Sequence, residues 1–105
     1  MKKIALLAFV ILVFCGLSLA ASQTITGTVS DSHCGVQHAT PSAKAAECVE
    51  HCVAGGAKYV LVSEGKVYQL DAQDKFKGLG GKSVEVTGTI KGDSITVTSV
   101  TLKSS

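Results

Sequence analysis

Lys82-Ser83-Val84-Glu85-Val86-Thr87-Gly88-Thr89-Ile90, the turn Lys91-Gly92-Asp93, and then Ser94-Ile95-Thr96-Val97-Thr98-Ser99-Val100-Thr101-Leu102 form the stretch on which the fold turns. Val84, Val86 and Ile90 alternate with polar residues, the period of a strand with one buried face. Gly88 interrupts it, as at a bend or a close backbone approach. In the second strand Ile95 and Val97 share one parity, and Val100 and Leu102 the other. That slip predicts a bulge near Thr98-Ser99.

Further hairpin signals lie upstream. Lys58 to Ser63 and Lys66 to Leu70 read as strands joined at Glu64-Gly65, a two-residue turn of the type that favours glycine. Between the hairpins, Asp71 to Leu79 is polar with Phe76 and Leu79 as apolar points. It reads as a short helix capped by Asp71 and broken by Gly78, Gly80 and Gly81. Residues 23–30 are alternating and β-branched, with Gly27 as a second bend. Residues 41–54 read as a helix with Thr40 as N-cap, Pro41 at its first position and Gly55-Gly56 as its stop. Its apolar positions Ala45, Cys48, Val49, Cys52 and Val53 repeat at i, i+3, i+4, i+7, i+8 and form one face. On this reading Lys44, Glu47, Glu50 and His51 turn toward the flank or solvent.

The order is therefore strand, loop and helix, two strands, short helix, two strands. This is a mainly β chain with a minor helical part. Five short strands with a helix between the third and fourth is the order of an OB-fold, a small Greek-key barrel. The helix at 41–54 is then an insertion between strands 1 and 2. A barrel of SH3-like topology is the alternative.

The first 20 residues have the form of a signal peptide. Lys2 and Lys3 precede the apolar run Ile4 to Phe14, and Ser18-Leu19-Ala20 supplies the small residues read at cleavage. Cys15 follows Phe14, which does not suit a lipidation box. Residues 21–105 then form one domain, secreted or periplasmic, with no stable membrane association after cleavage and an expected monomeric state. Eight lysines balance eight acids in that part, there is no arginine, and Tyr59, Tyr68 and Phe76 are its aromatics. Nucleic-acid binding wants a basic face and stacking platforms, and is not expected. Paired catalytic carboxylates, a nucleophile elbow and a phosphate-cradling glycine loop are absent, so the chain reads as a non-enzymatic module with an unknown partner.

The chemistry concentrates between residues 33 and 52. His33, Cys34, His38, Cys48, His51 and Cys52 include every histidine and every cysteine after residue 20. Three readings compete. In an oxidising compartment Cys34 would bridge Cys48 or Cys52 and staple the inserted helix to the barrel, leaving one thiol over. Cys48 and Cys52 suit each other poorly, since i, i+4 positions on a helix rarely meet disulfide geometry. Alternatively, Cys34, His38, Cys48 and Cys52 form a Cys3His set for Zn(II) or Cu(I). Thiol exchange comes third, because C-x3-C lacks the spacing and frame of thioredoxin-like enzymes. Compartment and spacing favour the staple, with no required cofactor. Asp31 is expected to turn the loop through its carboxylate.

Gly27-Thr28-Val29-Ser30-Asp31-Ser32-His33-Cys34-Gly35, then His38, Cys48 and Cys52, then Gly56-Ala57-Lys58-Tyr59-Val60-Leu61-Val62, then Gly81-Lys82-Ser83-Val84-Glu85-Val86-Thr87-Gly88-Thr89 carry a pattern. It resembles a family of small secreted bacterial proteins of unknown function with a D-x-x-C-G-x-x-H … C-x3-C motif. The resemblance implies secretion and an OB-like barrel. It also implies that Cys34, His38, Cys48 and Cys52 are the family's Cys/His set.

Overall fold

The computed structural model describes residues 21–103; the expected signal segment lies outside them. Five strands, β1 (Gln23–Asp31), β2 (Tyr59–Ser63), β3 (Lys66–Leu70), β4 (Ser83–Lys91) and β5 (Ser94–Leu102), close into a barrel in the order β1-β2-β3-β5-β4. All neighbours are antiparallel except β3 and β5, which run parallel through Gln69↔Ser94 and Leu70↔Ile95. This is the expected OB-like order, and closure leaves no open sheet edge. The helix α1 (Ala43–Ala54) is inserted between β1 and β2 as expected.

Strand β1 serves two neighbours. Gln23 to Thr28 pair with β4, and Thr28 to Asp31 pair with β2. The exchange falls at Thr28, just after Gly27, where a Cβ would meet the Val62 carbonyl oxygen at 2.5 Å, so only glycine lets the two strands approach. The predicted bulge is present: Thr87 pairs with Ser99 and Gly88 with Val97, which leaves Thr98 extra on β5. At the β2–β3 turn Glu64 and Gly65 both have positive φ, 52° and 77°, as a type I′ turn requires.

Two boundaries differ from expectation. The helix is capped by Ser42, whose Oγ accepts the Ala45 N–H at 2.9 Å, and begins at Ala43. Thr40 is not the cap, because Pro41 holds its predecessor out of the helical region, and Ser42 is placed to reach the free donor. The segment after β3 is a single 3₁₀ turn, Gln73–Phe76, with no side-chain cap. Asp71 instead accepts the Val97 N–H at 2.8 Å and ties the end of β3 to β5.

The core gathers Val29, Leu61, Val84 and Val86 from the barrel, Phe76 from the 3₁₀ turn and Val49 from the helix. Each of these is at most 1% exposed. The Gly80-Gly81 dipeptide is more than a turn. A Cβ on Gly80 would run into Val49 and Glu50, and one on Gly81 into the backbone of Ala45 and Ala46. Gly81 also donates its N–H to the Val29 carbonyl at 2.7 Å and accepts from Ser42 N at 3.2 Å. The helix therefore sits on a glycine seat hydrogen-bonded to β1.

Glu50 holds the other side of that seat. Its Oε1 accepts the Tyr59 hydroxyl at 2.6 Å and its Oε2 accepts the Gly80 N–H at 2.9 Å. Periodicity puts Glu50 toward the flank or solvent; the buried phenol and the bare amide of Gly80 draw it in on the flank side. Burial, and then the Glu50 carboxylate, push the Tyr59 phenol up to about 12. A raised acid pKa favours the neutral form in the fold. The stabilisation is thus complete below the unfolded tyrosine pKa, near 10, and is lost as pH rises toward 12. Tyr59→Phe is expected to cost about 1.5–3 kcal/mol at neutral pH, because its hydrogen bond to the charged, half-buried Glu50 carboxylate is lost. It should also flatten the loss of stability between pH 10 and 12; urea melts across that range check both.

Candidate metal centre

The Cys/His segment folds over one end of the barrel, and four anchors hold it there. Thr28 Oγ1 donates to the Ala39 carbonyl at 3.0 Å, and the fully buried Ser30 Oγ donates to the Gly35 carbonyl at 2.7 Å. Ser32 N–H donates to the Lys58 carbonyl at 2.8 Å. Asp31 Oδ1 accepts the N–H groups of His33 and Cys34, both at 2.9 Å, and so turns the loop as expected. A 3₁₀ turn, Gly35–His38, follows and presents His38 four residues after Cys34. Gly35 begins it with φ +53°, a conformation that glycine adopts without strain.

The other two cysteines come from α1. The end of this helix is fixed by a Schellman arrangement, with Gly56 N–H donating to Val53 O at 3.0 Å and Ala57 N–H to Cys52 O at 3.0 Å. Gly56 has the positive φ of 113° that this stop demands. Cys48 and Cys52 flank the buried residues Ala45 and Val49 and are themselves half-buried. They face the loop rather than the centre of the core.

All four residues singled out from the sequence meet at this corner. Sγ of Cys34, a ring nitrogen of His38 and Sγ of Cys48 lie within 4.8 Å of one another. Sγ of Cys34, Sγ of Cys52 and a carboxylate oxygen of Asp31 do the same. Ligands around one tetrahedral zinc stand about 3.5–3.8 Å apart, given Zn–S and Zn–N bonds near 2.3 and 2.0 Å, so each triad would need only a small contraction to hold an ion. The three cysteines are free thiols here. Burial, and then the charge of Asp31 and the neighbouring thiols, push Cys34 up to about 11; the same causes raise Cys52.

Two buried atoms at this corner have no hydrogen-bond partner, His38 Nε2 and Asp31 Oδ2. Burying a polar atom without a partner is costly. Each triad contains one of these two residues. The sequence assigns Asp31 only its turn-forming role; its carboxylate joins the cluster because it is buried at the end of β1. The remaining histidines are exposed and outside both triads. His33 and His51 line an open pocket with Ser32, Cys52, Gly55, Gly56 and Ala57. His51 thus turns away from the cluster, as the helix periodicity implies.

The described chain is a small mainly β protein, a closed five-stranded barrel with a Cys/His cluster at one end. Residues 53–102 are similar to a family described as "Protein of unknown function (DUF5818)". That match spans β2 to β5 and lies outside Cys34, His38, Cys48 and Cys52. No curated protein and no solved structure matches the chain.

Proposed function

We propose that this protein is an exported, non-enzymatic metal-binding module that holds Zn(II) or Cu(I) through Cys34, His38 and Cys48, with Cys52 beside them. The observation that carries this reading is the buried, unpartnered Nε2 of His38 in the residue set that places its ring within 4.8 Å of two thiols. An imidazole nitrogen left without a donor or acceptor is stabilised by coordination. Sulfur and nitrogen donors select zinc or cuprous copper over calcium or magnesium. The signal-like pattern of residues 1–20, a charged start, an apolar run and small residues, supports an extracytoplasmic setting.

The same convergence supports a second reading. Cys34 stands close to Cys48 and to Cys52, so a bridge to either would staple α1 to the barrel. Thiol counting on the purified protein, denatured without reductant, separates the two. Three free thiols with stoichiometric co-purifying metal support the metal centre; one free thiol and no metal supports the staple.

Within the metal reading, His38→Ala is expected to weaken zinc binding by at least the ten- to hundredfold (roughly) that outer-shell partners contribute in other zinc proteins. The check is competition against a chromophoric chelator, with circular dichroism as the control for folding. Unchanged affinity would remove His38 from the ligand set.

A further inference from the structure

Resting on that metal-binding reading, we infer that the corner is built for two divalent ions bridged by the Cys34 thiolate: one held by Cys34, His38 and Cys48, the other by Cys34, Asp31 and Cys52. Cys34 is the residue common to both triads. Cys34 shares the first triad with His38 and Cys48 and the second with Asp31 and Cys52. The second triad has its own independent mark. Asp31 is fully buried, its Oδ1 is used by two backbone N–H groups, and its Oδ2 has no partner.

Charge balance points the same way. Three thiolates and one carboxylate carry four negative charges. With both positions filled, two divalent ions balance all four, whereas an ion in the first position alone leaves the buried Asp31 carboxylate without a cation of its own. The donor set selects the ion. A carboxylate beside thiolates suits Zn(II), whereas Cu(I) prefers all-soft ligands. Cys52 also lines the open pocket shared with His33 and His51, which gives the second position access to solvent for a fourth ligand.

Titration of the reduced, purified protein with zinc, read by native mass spectrometry, tests this. The wild type should take up two zinc ions. Asp31→Asn keeps an Oδ1 acceptor for the His33 and Cys34 N–H groups but loses the charge, and should take up one. Cys52→Ser removes a different ligand of the same position and should also take up one, which guards against misfolding of the first variant. A wild type that saturates at one ion would overturn the two-ion centre and leave the metal-binding reading standing. Two ions in both variants would also overturn it. No zinc uptake by the wild type would overturn both.

Discussion

Cys34→Ser is expected to abolish zinc uptake altogether, where loss of Asp31 or Cys52 removes one ion. Cys34 is the residue shared by both triads. A serine hydroxyl stays protonated at neutral pH and cannot replace a bridging thiolate. The fold should survive, because Cys34 is only half-buried and its tie to Asp31 runs through the backbone N–H. Thermal melts with and without zinc give the clearest reading. A ligand present at a thousandfold excess over its Kd adds about 4 kcal/mol to the stability of the native state. For a domain of this size that is a rise of more than about 10 °C in Tm. The wild type should show this rise and Cys34→Ser none. An equal rise in both proteins would mean that zinc binds elsewhere.

Gly81→Ala should strongly damage the seating of α1 on the barrel. Gly81 has φ +72°, a region where an L side chain costs about 1–2 kcal/mol. Its Cβ would also run into the backbone of Ala45 and Ala46, which cannot swing aside as a side-chain tip can. Helix α1 would have to lift, weakening the Ser42–Gly81 and Glu50–Gly80 hydrogen bonds and uncovering Val49. The summed loss is about 3–5 kcal/mol, a large part of the total stability of so small a domain. Urea melts should show it. Gly92→Ala is a suitable comparison: it has a positive φ of 61° but open space around it, so it should pay the backbone strain alone. Similar losses in the two variants would mean that the helix does not rest on Gly81.

The strands and the bulge at Thr98 were legible because a strand writes its environment every second residue. A slip in parity between Val97 and Val100 is visible without any partner. The Cys/His set was legible for a simpler reason: few residue types ligate metals, and here they cluster within 20 positions. Asp31 was only half legible. Its turn-forming role follows from its place before a loop, but its carboxylate joins the thiols only because the end of β1 is buried. The division of Cys34, His38, Cys48 and Cys52 into two triads was not legible at all, since spacing along a loop and a helix does not say which sulfur lies beside which nitrogen.

Glu50 shows the same limit. Helical periodicity orients a side chain relative to its own axis, and on that basis Glu50 faces outward. Its partners, the Tyr59 hydroxyl and the Gly80 N–H, lie nine and thirty residues away and are brought beneath it by the barrel. The alternation of apolar and polar residues, the glycines at the bends and turns, and the inventory of ligating side chains were determined by the sequence alone, because each depends on near neighbours in the chain. Tertiary structure alone decided that Gly80-Gly81 is a seat for the helix, that the half-buried Glu50 accepts from Tyr59 and Gly80, and that Cys34 is shared by two sets of ligands. Those outcomes depend on which surfaces meet when the barrel closes, and no local period encodes them.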